Sequence, residues 1–399
     1  MTAPPEHIVL ILHRLTSNGH DAFLVGGCVR DTIMNRPVHD WDLATSATPV
    51  DVTMLFPKTV LTGEKFGTVT IVLPECPVEV TTFRTESERS DGRRPDHVHF
   101  VGSIEEDLSR RDFTINAIAE SAEGELIDPF NGIKDIADGI IRCVRGPNSR
   151  FIEDALRMFR AYRFSAELGF LIESETLLAI HSNAGMAKRV STERIQTELE
   201  KTLMSQRPET AGEMIKVGLL ERYVAASGKN TSGLDRIAEL PEEPMLRWCA
   251  FCAILLKQGH ISSAKDFLRD IRLDGKTTKA CLSALEIGLF PKDRTGIKRL
   301  LSRYSVNSVR CAAAINDTTD EGKSLQSVDD IITSGECFSL GELAVSGRDL
   351  LAMGHPPGQE LGETLDRLLN HVICDPDSNE SDKLLEVARS CGITKDVVW

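Results

Sequence analysis

The chain has 399 residues, of which 41% are hydrophobic and 27% charged. That balance excludes a fully disordered polypeptide and, at about 150 residues per domain, predicts two to four domains. Its 46 Lys+Arg against 60 Asp+Glu give a formal charge of −14, which argues against bulk affinity for nucleic acid. The acidity is uneven. Residues 310–399 hold 7 basic and 17 acidic side chains, whereas residues 1–309 hold 39 and 43.

Residues 1–7 lack the pattern of a signal peptide. The longest apolar run, 249–256, is far short of the roughly 20 residues that span a membrane. No membrane partner is expected, and the ten scattered cysteines fit a reducing, cytoplasmic compartment.

Residues 6–20 read as a helix, with Ile8, Ile11, Leu12 and Leu15 at helical spacing. Residues 22–25 read as a buried strand that runs through Gly26-Gly27 into a helix at 28–34. Further strand signals fall at 40–44, 58–61, 68–73, 78–83 and 98–101. The charged stretch 84–97, with Gly92 and Pro95, reads as a loop. Beyond residue 150 helical periodicity takes over. Cys249 and Cys252 have CxxC spacing but sit in an apolar helical stretch without a second pair, which predicts core packing. Gly275-Lys276-Thr277 echoes a phosphate loop, but the pattern fails at Asp270.

Asp40-Trp41-Asp42 is the first chemical signal. On a strand, residues i and i+2 share a face, so the two carboxylates call for a cation, and Mg²⁺ is the natural one. Glu79, between Val78 and Val80, is placed to add a third carboxylate. Alone, Asp-x-Asp also describes a solvated turn. The Gly26-Gly27 turn upstream, followed by Arg30, suits phosphates at a helix N-terminus.

Residues 142–163 contain six arginines (142, 145, 150, 157, 160 and 163) and two acids, Glu153 and Asp154. On a helical wheel over 151–163 the apolar side chains separate from the charged ones. One reading is a solvated face with ion pairs. The other uses Asp154 and Arg157 as i, i+3 neighbours facing one ligand edge. An acceptor beside a forked donor complements cytosine and adenine and mismatches uracil and guanine.

The motif series closely resembles class II tRNA nucleotidyltransferases, the CCA-adding enzymes and their bacterial poly(A) polymerase relatives. The resemblance rests on 24–31 with 40–45, on 110–117, on 128–132 with 139–142, on 153–164, and more loosely on 192–201. It implies an α+β fold: a mixed sheet-and-helix, polymerase β-like catalytic head (1–143), then an all-α neck (144–208), body (209–310) and acidic tail (311–399).

The resemblance also implies residue roles. Asp40 and Asp42 hold catalytic Mg²⁺, with Glu79 as a third catalytic carboxylate. Gly26, Gly27, Arg30, Arg111, Asp112 and Asn116 bind the nucleotide, with Asp112 at the ribose. Asp154 and Arg157 read the base, and Arg160 and Arg163 support the pocket. Arg84, Arg89, Arg93 and Arg94 match the loop that relatives use to switch from C to A. The implied partners are the tRNA 3′ end, CTP and ATP, with a homodimer left open. Poly(A) synthesis, partial CC- or A-addition, and non-catalytic RNA binding are the rival readings. A phosphohydrolase ranks last, because no His-Asp metal motif is visible in the helical half.

Overall fold

A computed structural model of the chain describes residues 3–63, 67–86, 98–225, 230–319 and 322–392. Two compact units are present, Met1–Lys229 and Asn230–Trp399.

The first unit opens with α1 (Glu6–Ser17), which buries the predicted stripe of Ile8, Ile11, Leu12 and Leu15. It stops before residue 20, where Gly19 takes a φ of 84°. Next come β1 (Ala22–Val25), α2 (Gly27–Ile33), β2 (Asp42–Thr45) and α3 (Pro49–Leu55). Thr48 and Asp51 form a capping box at the start of α3, with Pro49 in the first turn. Strands β3 (Thr59–Gly63), β4 (Thr68–Val72) and β5 (Pro77–Thr82) follow. β5 alternates open and buried side chains, as a strand with one face on the core does, whereas Val69, Thr70 and Ile71 of β4 are all buried.

The predicted strand at 40–44 begins two residues late, at Asp42, so Asp40 precedes it. Part of the predicted 84–97 loop is also strand: β6 (Arg84–Glu86) pairs antiparallel with β7 (Val98–Phe100). Arg89, Arg93 and Arg94 lie outside the described residues.

After α4 (Ile104–Ser109) come β8 (Ala119–Ser121) and β9 (Leu126–Ile127). The seven-stranded sheet has the order β3-β4-β5-β2-β1-β8-β9. In it β2 and β5 are parallel, and the other neighbouring strands are antiparallel. Val25, Ala44, Phe83, Leu108, Ala119 and Val144 form a core on this sheet. The unit continues through α5 (Gly132–Asp138), β10 (Ile140–Ile141), α6 (Pro147–Glu153), α7 (Leu156–Leu168), β11 (Leu171–Ile172), α8 (Ser174–Asn183), α9 (Thr192–Leu203) and α10 (Thr210–Lys216).

Among its described residues the second unit has helices as its regular secondary structure and no strand. It comprises α11 (Pro244–Lys257), α12 (Ala264–Asp270), α13 (Gly275–Ile287), α14 (Arg294–Arg303), α15 (Val306–Thr319), α16 (Ser324–Ser334), α17 (Gly347–Ala352), α18 (Gln359–Cys374) and α19 (Ser381–Gly392). Cys249 and Cys252 of α11 are fully buried beside Cys281 of α13 and Cys311 of α15, so they are core residues as the sequence predicts. The Gly275-Lys276-Thr277 segment starts α13, where the Asp274 carboxylate accepts the Lys276 and Thr277 N–H groups, each at 2.9 Å. Its own side chain therefore fills the place a phosphate would take. No helix among the described residues is long and apolar enough to cross a membrane.

Candidate active site

Strand pairing assembles the site. Leu24 of β1 pairs with Leu43 of antiparallel β2, so the end of β1 lies beside the start of β2. Gly26 and Gly27 therefore stand next to Asp42. On the other flank Val25 pairs with Ala119 of β8, and the Gly26 N–H donates to the Ile118 carbonyl at 3.3 Å. This brings residues 110–118 to the same sheet edge. Gly26 holds φ 79° and ψ −128°, and a Cβ there would lie 2.8 Å from Arg111 Nη1. The positive φ thus favours glycine, and a side chain there would push the Arg111 guanidinium aside.

Asp42 also pairs with Glu79 across the parallel β2–β5 ladder, and paired residues point to the same face. Both side chains are open to solvent. The Asp42 carboxyl is nonetheless pushed upward. Desolvation by the surrounding protein is the main cause, Arg111 opposes it, and the charges of Glu79 and Asp40 add to it. Such crowding of hard oxygens suits a divalent cation. Among the described residues no three His, Cys, Asp or Glu side chains are gathered as a metal-binding group. Asp40, Asp42 and Glu79 are coupled electrostatically but form no closed three-ligand site, because Asp40 lies outside the strand register that aligns the other two.

A cavity of about 450 Å³ opens beside Asp42, within the range of small-ligand sites. Its lining includes Gly26, Gly27, Asn116, Leu156 and Phe164, together with six arginines (30, 110, 111, 157, 160 and 194) against Asp42, Asp112 and Asp154. The cavity is therefore cationic in an acidic chain, and a triphosphate would meet an excess of guanidinium groups.

Those groups are held in place by a relay. Arg30 donates to Asn116 Oδ1 at 2.7 Å, Asn116 donates to Asp112 Oδ1 at 3.2 Å, and Arg160 Nε donates to Asp112 Oδ2 at 2.7 Å. Burial works against the ionised form of Asp112. The Arg160 charge and hydrogen bond, the Asn116 amide and the Arg157 charge outweigh it and hold the carboxyl well below the usual carboxylate range. The Phe164 ring sits among three cations, with Arg163, Arg160 and Arg30 at 3.9, 5.2 and 5.3 Å from its centroid.

The continuous helix predicted over 151–163 is broken. Asp154 adopts φ −149° and ψ 102° between α6 and α7, and its carboxylate accepts the Leu156 N–H at 3.1 Å. Asp154 is thus a break residue facing the cavity and not an i, i+3 neighbour on one helix. Arg157 is fixed separately. Its Nη1 donates to Glu153 Oε2 at 2.7 Å and to the Arg150 carbonyl at 3.2 Å, and its Nη2 donates to the Arg110 carbonyl at 2.9 Å. The solvated-face reading also fails, since Asp154, Arg157 and Arg163 are each 7% exposed.

Of the sequence-predicted residues, the structure brings Gly26, Gly27, Arg30, Asp42, Arg111, Asp112, Asn116, Asp154, Arg157 and Arg160 onto one cavity. Asp40 and Glu79 stand beside Asp42 without lining it. Arg163 also does not line it. Its guanidinium turns instead to Glu198, at 2.5 Å, and Glu167, at 2.8 Å. Arg110, Phe164 and Arg194 line the cavity without having been singled out. Arg194 was reachable only through its motif, because its partner Asp154 is 40 residues away.

The head-domain family model for poly(A) polymerase matches residues 22–142. The model for the RNA and SrmB-binding site of polymerase A matches 169–224, and that for tRNA nucleotidyltransferase domain 2 matches 242–388. The CCA-adding enzyme of Pediococcus pentosaceus is 37% identical over 380 residues, covering 94% of this chain and 95% of its own. The CCA-adding enzyme of Bacillus subtilis is 37% identical over 391 residues, covering 96% and 97%. Among solved structures, the Bacillus stearothermophilus CCA-adding enzyme in complex with CTP superposes with a TM-score of 0.79 at 34% identity, covering 98% of this chain and 99% of that one.

Proposed function

The chain belongs to the CCA-adding enzyme family of tRNA nucleotidyltransferases, and from that premise we infer how its residues divide the work. The reaction is template-independent addition of CMP, CMP and AMP to tRNA 3′ ends. The 3′-hydroxyl attacks the α-phosphorus of CTP or ATP, and pyrophosphate leaves. The observation that carries the assignment is the single cavity lined by the Gly26-Gly27 turn and Asp42 and also by Asp154 and Arg157. The phosphate-handling and base-reading groups therefore face one ligand.

Asp40 and Asp42 would hold Mg²⁺, whose chemistry is to lower the hydroxyl pKa and neutralise charge on the attacking and leaving oxygens. Glu79 adds negative potential from the paired strand. Arg30 and Arg111 face the triphosphate. Arg111 Nε is buried without a hydrogen-bond partner among the described residues, a donor that a phosphate oxygen would satisfy. Asp112, oriented by Arg160, Asn116 and the Phe113 N–H, would take the ribose 2′-hydroxyl by exchanging or sharing one of these donors. Asp154 presents acceptors and Arg157 donors to the base edge. Arg160 and Arg163 hold the frame through Asp112 and Glu198. The same reading carries a cytoplasmic location, in keeping with the free thiols among the described residues.

Asp42→Ala should abolish nucleotide incorporation while RNA binding persists, and a chelator should silence the wild type until Mg²⁺ is restored. Full activity in the variant would refute the metal assignment.

A further inference from the structure

Asp154 needs a fixed side chain if it is to read a base edge. It sits in the break between α6 and α7, where its Oδ1 accepts the Leu156 N–H at 3.1 Å. A second hold comes from α9. Arg194 Nη2 donates to Asp154 Oδ2 at 2.8 Å and Arg194 Nη1 donates to Oδ1 at 3.4 Å. The two nitrogens thus grip the two oxygens as a fork. Arg194 lines the same cavity. Arg157 gets its bonds from Glu153 and two carbonyls, so the two base-reading groups have separate supports.

We propose that Arg194 is a positioning residue for nucleotide selection: its guanidinium sets the plane of the Asp154 carboxylate. This inference rests on the reading of Asp154 and Arg157 as the base-selecting pair. An ionised carboxylate in a set plane accepts from the amino groups of cytosine and adenine and offers nothing to the carbonyls of uracil and guanine. A carboxylate released from the fork loses its two bonds to the guanidinium and can turn about its Leu156 contact. That change erodes discrimination while leaving the triphosphate contacts of Arg30 and Arg111 in place.

The test is steady-state incorporation into tRNA lacking its terminal CCA, and into tRNA lacking only the final A, with each of the four nucleoside triphosphates. Full-length wild type, Arg194→Ala, Arg194→Gln, Arg194→Lys and Asp154→Asn are compared. In Arg194→Ala and Arg194→Gln the kcat/KM ratios of CTP over UTP and of ATP over GTP should fall by about tenfold or more. Inhibition by inorganic triphosphate should be unchanged. Arg194→Lys keeps the charge without the fork and should fall between them and wild type. If Arg194→Ala does not fold, Arg194→Gln and Arg194→Lys decide the same ratio. A merely structural role predicts that all four nucleotides lose kcat equally, with the ratios intact, and that result overturns the proposal. If Asp154→Asn loses discrimination while the Arg194 variants keep it, the proposal alone fails. If Asp154→Asn keeps it too, the base-reading assignment fails with it.

Discussion

Arg160 donates from Nε to Asp112 at 2.7 Å across 48 residues of sequence, tying α7 to the turn after α4. Asp112 is buried and the Arg160 side chain is 33% exposed, and the bond joins the nucleotide-facing segment 110–118 to the helix that carries Arg157.

This bond makes stability depend on acid. Asp112 is held below its ordinary value when folded, whereas an unfolded aspartate titrates near about 3.9. A depressed carboxyl contributes stability that is fully present above the unfolded value and is lost as pH falls below it. Asp112→Asn should therefore be less stable at neutral pH by about 2 kcal/mol. Its deficit should shrink as pH drops from about 5 toward 3. Denaturant titrations of both proteins across that range check this, and a constant deficit would refute it.

Gly26→Ala tests the turn. Forcing a side chain into a positive-φ, glycine-favouring conformation costs about 1–3 kcal/mol, and the new Cβ would meet Arg111 Nη1. The variant should melt earlier and incorporate nucleotides more slowly, because Arg111 is displaced from the triphosphate. Wild-type melting and rate would show that the turn tolerates other residues.

Arg157→Ala should weaken base selection more than nucleotide binding. The guanidinium is set by Glu153 and by the Arg150 and Arg110 carbonyls, and none of these is a phosphate-facing group. Discrimination against UTP and GTP should drop by about tenfold to a hundredfold, with triphosphate affinity little changed. Undiminished exclusion of UTP and GTP would remove Arg157 from the base-reading role.

Much of this was legible in the chain because local patterns report local structure. The stripe of α1, the apolar β1 and the Gly-Gly turn were placed by periodicity and glycine chemistry alone, and the motif series carried ten of the fourteen residues that line the cavity. What escaped depends on tertiary partners. The helix over 151–163 breaks at Asp154 because that residue exchanges helical backbone geometry for a bond to Arg194 and a cap on Leu156, and the wheel pattern runs straight through it. The same wheel mistook a buried polar face for a solvated one. It registers charge but not the carboxylates and carbonyls waiting on other elements, such as Glu198 for Arg163. Arg163 then points away from the cavity that the family resemblance has it support. The acidic total of −14 likewise conceals a cavity where arginines outnumber aspartates two to one.

The most direct test of the central claim supplies purified protein with tRNA that ends before its CCA, and labelled CTP, ATP, UTP and GTP singly and in combination. CTP alone should add two residues and stop, CTP with ATP should complete CCA, and UTP and GTP should add nothing. Long tails made from ATP alone on unrelated RNA would contradict the account.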